Sequence, residues 1–321
     1  MINKLRIGID IGGQSTKCGV VDPKGTIVAQ CTITSLQTEL KDYLSDLTNA
    51  INHLIMETDS KGSIIGIGVG APNANYYNGT IEYAPNIKWS KDKDGKPSII
   101  QFAQLLQKHT SSPVTITNDA NAAAMGEMRY GVARGIQNFI MITLGTGIGS
   151  GIVIDGKLVY GHDGFAGELG HVCAVPNGRL CGCGLKGCLE TYASATGVVK
   201  TAKLVLKENN RESLLRSIDL ETISSKDVFE AAVKGDEIAK EIFIYTGTIL
   251  GHALADFVKF SSPEAIVLFG GMTKSKDFFH DSMVRSMNEN LMEIWKNKII
   301  VLYSSLKESD AAILGASALV E

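Results

Sequence analysis

Residues 5–22 read LRIGIDIGGQSTKCGVVD. Leu5 to Ile11 is rich in β-formers and breaks at Gly12-Gly13, and Lys17 to Asp22 resumes as a second strand. The spacing predicts a hairpin whose tip is Gly12, Gly13, Gln14, Ser15 and Thr16. Glycines and hydroxyls beside an acid suit a phosphate group, because backbone N–H groups can face the anion while Asp10 holds a metal through water. A tight hairpin with a solvated aspartate fits the same residues. The pattern is neither a P-loop, which needs Gly-Lys-Ser/Thr opening a helix, nor the dinucleotide fingerprint, which sets its glycines between strand and helix.

The plan recurs at residues 139–155, FIMITLGTGIGSGIVID. A strand from Phe139 to Leu144 meets a turn of Gly145, Thr146, Gly147, Ile148, Gly149, Ser150 and Gly151, and Ile152 to Asp155 leads outward. Each glycine loses extra entropy on folding, so a plain connection would not be built this way. Two such hairpins in one chain suggest an internal duplication around a nucleotide, with one tip from each half.

Between them, Glu39 to Glu57 has the period of an amphipathic helix. Ile64 to Gly70 is a buried strand that runs into Ala71-Pro72-Asn73, and Tyr76 to Ile81 carries an Asn-Gly turn. The loop Ala84 to Trp89 contains Asn86, Ser98 to His109 reads as helical, and Val114 to Thr117 as a short strand. Asn118 and Asp119 then open an Ala-rich helix. Either residue can cap that helix. Asp119 also stands at a strand's carboxyl end, where α/β folds gather ligands, and so suits a general base.

A third stretch, Gly167 to Glu190, reads GELGHVCAVPNGRLCGCGLKGCLE. Cys181, Cys183 and Cys188 lie close together, with His171 upstream. Three thiolates and one imidazole are the donor set of a closed tetrahedral zinc site. Intervening glycines let so short a segment wrap one ion. Glu168 and Glu190 flank the loop; they suit hydrogen bonds to a polyol and equally suit plain surface charge. Beyond it, Thr191 to Lys207 reads as one helix and Asp236 to Phe260 as a long buried one. Glu264 to Phe269 is a strand that ends at Gly270-Gly271, a step able to seat an adenosine or to serve as a plain turn. Ile299 to Tyr303 is the last strand and Asp310 to Val320 a final helix.

The chain of 321 residues is 44% hydrophobic and 20% charged, the composition of an ordinary soluble protein long enough for two domains. A net charge of −3 with no basic cluster argues against nucleic acid as a partner. The longest apolar stretch, Phe139 to Ile154, is interrupted by glycines and short for a bilayer, so no membrane partner is expected. The first residues lack the form of a signal peptide, and clustered metal-type cysteines fit a reducing cytoplasm. Cys18, Cys31 and Cys173 read as packing residues.

Taken in order, these pieces resemble the ROK family of repressors and sugar kinases, and among its members the chain looks most like a bacterial glucokinase. CGCGLKGCLE, AGELGH, NDANAA, DIGG, LGTGIGSG and FGG all stand where that family has its motifs, over nearly the whole chain. The resemblance implies an actin-like ATPase (ribonuclease H-like) fold of two α/β domains with a cleft between them. The small domain would hold residues 1–117 with a C-terminal helix at about 304–321, and the large domain 118–303 with the zinc loop. It implies transfer of phosphate from ATP to the 6-hydroxyl of a hexose, with glucose first and mannose, fructose, N-acetylglucosamine and N-acetylmannosamine as alternatives. Asp119 would be the base. Asn86, Asn118, Asp119, Glu168, His171 and Glu190 would hold the sugar, and His171 with the three clustered cysteines the zinc. Asp10 would position Mg2+. Gly12, Gly13, Thr146 and Gly147 would line the phosphates, with Gly270 and Gly271 near the adenosine. Gln14 stands where the family usually has Thr, so Gln14, Ser15 and Thr16 all remain phosphate contacts, and Asn73 replaces a usual glycine. A homodimer or homotetramer is the family's expectation. A sugar-sensing transcription factor is the other reading; such proteins carry a DNA-binding segment ahead of the first hairpin.

Overall fold

The computed structural model describes residues 4–60, 62–92, 94–307 and 309–321. By the density of their contacts they form two compact units. The first comprises the chain up to Gln137, Gly151–Gly167 and Ser304 onward; the second comprises Asn138–Ser150 and Glu168–Tyr303.

In the first unit, β1 (Leu5–Ile11), β2 (Ser15–Val21) and β3 (Ile27–Thr34) form an antiparallel meander. After α1 (Leu40–Glu57), β4 (Ile64–Gly70) lies parallel to β1. A small antiparallel sheet of β5 (Ala74–Asn75), β6 (Thr80–Glu82) and β7 (Ile99–Ile100) follows. Then come α2 (Phe102–Gln107), β8 (Val114–Thr117) and α3 (Asp119–Tyr130). β8 is parallel to β4, which makes the main sheet order β3-β2-β1-β4-β8. The sequence reading had one helix over Ser98–His109; the structure puts Ile99 and Ile100 in a strand pair with β6 and starts the helix at Phe102.

The strands' alternation explains the two faces. Ile7, Ile9 and Ile11 point to one side, where they pack with Tyr43, Leu47 and Leu54 of α1 in a continuous apolar core. On the other side lie Gly8 of β1 and Gly68 of β4. A Cβ on Gly8 would stand 2.0 Å from the carbonyl oxygen of Ile313, and one on Gly68 1.8 Å from that of Ala316. Glycine at these points lets the last helix, α9 (Ala311–Ser317), lay its backbone directly on the sheet. α3 packs beside α9, with Gly126 against Gly315.

The second unit holds β9 (Phe139–Leu144) and the start of β10 (Ile148–Ile154), whose far end pairs with β11 (Lys157–Leu158) in the first unit. Helices α4 (Glu190–Ala193), α5 (Ala195–Glu208), α6 (Ser225–Val233) and α7 (Glu237–Ser261) precede β12 (Ala265–Phe269), α8 (Lys276–Glu289) and β13 (Ile300–Tyr303). β12 runs parallel to both β9 and β13. α7 is buried along much of its length because Gly247 and Gly251 face the α8 backbone, where added Cβ atoms would meet the Phe279 and Met283 carbonyls at 2.4 and 2.1 Å. The helix read as continuous over Thr191–Lys207 is broken at Ser194. That residue is extended, with φ −93° and ψ 175°, and its hydroxyl accepts from the Gly197 N–H to cap α5.

Candidate functional site

Each unit gathers part of the residues singled out in the sequence. In the first unit, register fixes the geometry. Asp10 pairs with Gly70, and Gly70 with Thr117, across three adjacent parallel strands. Asn118 and Asp119 are the next residues on, so Asp10 and Asp119 occupy the same carboxyl edge with one strand between them. Strand spacing puts their main chains roughly 10 Å apart. The Asn118 side chain caps α3 by accepting from the Ala120 N–H at 2.8 Å, and Asp119 Oδ1 accepts from the same N–H at 2.8 Å. The cap is therefore Asn118, and the second Asp119 oxygen is left outside the capping interaction.

Burial at this edge raises both groups, and for Asp10 a neighbouring like charge adds to it. Burial, helped by the charge of Asp119 and opposed by Lys17, raises Asp10 to about 6. Crowding by protein atoms also pushes Asp119 up, opposed by the Ala120 N–H. The Asp119 side chain is nonetheless open to solvent, which screens its charge.

The first hairpin is tighter than its sequence suggests. β2 begins at Ser15, which leaves Gly12, Gly13 and Gln14 as the tip. Gln14 is exposed and Ser15 half-buried, but Thr16 is turned into the core. Its hydroxyl bonds to Ser35 Oγ at 2.8 Å and Tyr43 Oη at 2.7 Å. Period-two alternation forces this: with Ser15 facing out at the tip, Thr16 must face α1. Gly13 lies under the Asn86 main chain, where a Cβ would meet the Asn86 carbonyl at 2.7 Å, so the exposed Asn86 side chain is carried beside the tip.

In the second unit, one donor atom from each of His171, Cys181, Cys183 and Cys188 falls within 4.8 Å of every other. Cys181 Sγ is 3.6 Å from His171 Nδ1, and Cys183 Sγ is 3.6 Å from Cys188 Sγ. A tetrahedral zinc with usual bond lengths spaces its donors roughly 3.5–3.8 Å apart, so the four fit the ion. Without a cation Cys181 favours its protonated form: burial pushes the thiol up to about 12. A divalent cation reverses that preference by stabilising thiolate. Nδ1 faces the sulfurs, which leaves His171 Nε2 as the ring's other hydrogen-bonding atom.

Glu190 stands beside this cluster. Its Oε1 is 2.9 Å from Cys181 Sγ and 3.8 Å from His171 Nδ1. Its Oε2 lies against the second hairpin, 2.6 Å from where a Gly147 Cβ would be. Glu168 precedes the single turn that carries His171, and its carbonyl accepts from the His171 N–H at 3.1 Å. β10 resumes at Ile148, four residues earlier than the Ile152 read from sequence, because Gly149 N–H donates to Thr143 Oγ1 at 3.0 Å across the hairpin. The tip is thus Gly145, Thr146 and Gly147. Gly270 adopts φ +106° and sits against Leu144 at the base of this hairpin, so Gly270 and Gly271 join the same edge.

The profile of the ROK family matches residues 6–321. The chain belongs to the ROK family. It is 37% identical to a glucokinase of Halalkalibacterium halodurans over 86% of this chain and 83% of that one. It is 31% identical to the glucokinase of Thermotoga maritima over 98% and 96%. A ROK family glucokinase from Streptomyces griseus, solved with glucose and AMPPNP, superposes with a TM-score of 0.77 at 33% identity, covering 98% of this chain and 99% of that one. These ROK sugar kinases have the actin-like ATPase fold, and so does this chain. Among the described residues no helix is long and apolar enough to cross a membrane.

Proposed function

We propose that the protein is an ATP-dependent hexokinase that phosphorylates the 6-hydroxyl of glucose. The observation that supports this most is the pair Asp10 and Asp119 on one sheet edge, in a ROK chain whose relatives include glucokinases. Phosphoryl transfer has a loose transition state, so the protein's task is alignment and neutralisation of spread charge. Asp119 takes the proton of the acceptor hydroxyl. A carboxylate whose pKa is pushed up is a better proton acceptor near neutrality, which matches that role. Asn118, Asn86, Glu168, His171 through Nε2, and Glu190 hold sugar hydroxyls.

Backbone N–H groups of the Gly12–Gly13 tip and of Thr146–Gly147 face the phosphates, with Gln14 and Ser15 as the side chains open at the first tip. Gly270 and Gly271 leave room for adenosine. Asp10 would hold a magnesium ion, which when bound supplies positive charge to the phosphates and relieves the Asp10–Asp119 repulsion. His171, Cys181, Cys183 and Cys188 would hold a structural zinc, which would keep the imidazole oriented and the loop beside Glu190 in place.

The test is an ADP-release assay over glucose, mannose, fructose, N-acetylglucosamine and N-acetylmannosamine. Glucose should give the highest kcat/KM. Asp119→Asn should lower kcat by about 10²–10⁴-fold, the range of general-base catalysis, with folding and zinc content unchanged. ADP release from none of the sugars, or near-normal turnover by Asp119→Asn, refutes the reading.

A further inference from the structure

The break at Ser194 has a structural consequence for the second hairpin. The segment that leaves the zinc loop does not simply start a helix; it returns to the hairpin tip. Ala195 N–H donates to the Gly145 carbonyl at 2.9 Å, and Thr196 Oγ1 donates to the Thr146 carbonyl at 2.9 Å. Thr196 Oγ1 is itself 2.9 Å from Ser194 Oγ, and Ser194 Oγ donates to the Glu190 carbonyl at 2.6 Å. Glu190 in turn holds one carboxylate oxygen at Cys181 and the other against Gly147. The covalent chain from Cys188 through Thr196, with these hydrogen bonds to carbonyls at its turns, thus joins the Cys–His cluster to both sides of the tip.

Among the described residues the tip closes on itself through Gly145 N–H to the Gly147 carbonyl at 3.1 Å, with Gly149 N–H to Thr143 Oγ1 at 3.0 Å behind it, and a Cβ on Gly145 would meet nothing within 4 Å. Glycine-rich backbone of this kind is ordered by what it is tied to. We propose that Thr196 is a positioning residue for the nucleotide: it fixes the Thr146 peptide through the segment that the metal loop anchors. Metal occupancy therefore sets nucleotide affinity as well as sugar affinity. This rests on the reading of the tip as a phosphate hairpin. Thr196 acts through Thr146 and need not touch the nucleotide.

The experiment is calorimetric binding of ADP in magnesium buffer, without sugar. It compares wild type, Thr196→Val, Thr196→Ser and wild type stripped by a chelator and dialysed back into magnesium. Thr196 is exposed, so the valine variant keeps the fold. Loss of one hydrogen bond of ordinary strength should raise the ADP Kd roughly fivefold in Thr196→Val, and Thr196→Ser should restore it. The ATP KM should rise by the same factor with the glucose KM unchanged. Stripped protein with an unaltered circular-dichroism spectrum should bind ADP at least as weakly as the valine variant. Equal ADP affinity in wild type and Thr196→Val, a serine variant as weak as valine, or stripped protein that binds ADP normally overturns the inference. Wild-type protein that binds no ADP at all overturns the kinase reading instead.

Discussion

Replacing Asp10 with Asn should make the ligand-free protein more stable and the enzyme inactive. In the folded chain the Asp10 carboxyl titrates at about 6, against about 4 for an ordinary aspartate. The sign follows from linkage. Between those two values the folded state binds more protons than the unfolded state, so stability falls as pH rises through the window. Above pH 6 the wild type carries the full penalty of an ionised, crowded Asp10; below pH 4 it carries none. Asn has the same shape and no charge. A shift of about two units corresponds to about 3 kcal/mol as a ceiling, and partial solvent access brings the expectation to about 1–2 kcal/mol. In a chain of this size that is a rise in Tm of roughly 2–6 °C.

Thermal unfolding without magnesium or nucleotide, at pH 8 and again near pH 4.5, reads this directly. Asp10→Asn should melt higher at pH 8, and most of the difference should be gone at the acid pH. Magnesium-ADP should then raise the wild-type Tm and leave that of the variant nearly unmoved. Because part of the penalty comes from Asp119, the stabilising effect of Asp10→Asn should shrink in an Asp119→Asn background, a non-additivity that neighbouring charges produce. No gain at pH 8, or the same gain at both pH values, refutes the electrostatic account of this edge.

Cys183→Ser should reduce bound zinc from about one ion per chain to near zero by metal analysis, since three donors seldom retain a structural site. Gly68→Ala should destabilise the first unit by about 1–3 kcal/mol in urea, because its Cβ collides with the Ala316 carbonyl and lifts α9 from the sheet. Cys31 should react with iodoacetamide at pH 7 well before Cys18, read by mass spectrometry of each peptide. The two face each other across β2 and β3; the Cys18 thiol hydrogen bond lowers Cys31 to about 7, while the same pairing and burial raise Cys18.

The parts legible in the sequence are those where local pattern and chemistry coincide. The two glycine hairpins are visible because strand formers stop at glycine, and the metal loop because four soft donors crowd one segment. What was not legible depends on direction and on distant contacts. Gln14, Ser15 and Thr16 look alike as polar tip residues, yet only the start of β2 decides that Thr16 must point toward Tyr43. Thr191 to Lys207 has one apolar period, so Ser194 passes for an ordinary helical serine; its signal was Ser-Ala-Thr-Gly, a cap followed by a glycine three residues on. Part of the composition of the first unit was hidden as well. Gly151–Gly167 join it from far along the sequence, and nothing local to that segment marks where it packs, whereas the C-terminal segment at about 304–321 was expected there from the family resemblance.

Asp10 and Asp119 also show why this edge is built against the stability of the empty chain. A sheet that only had to fold would not set two carboxylates on one edge, a single strand apart, and then crowd both. Here β1 and β4 carry glycine on one face so that α9 lies flat on them, and isoleucine and valine on the other so that α1 covers them. With both faces closed, the carboxyl edge is the open side left to the strands, and the charges gather there. A cation and a hydroxyl proton are the two species that relieve such repulsion. The same feature that raises the Asp10 pKa therefore predicts which ligands the edge accepts, and predicts that their binding stabilises the chain most at the pH values where the ligand-free form is weakest.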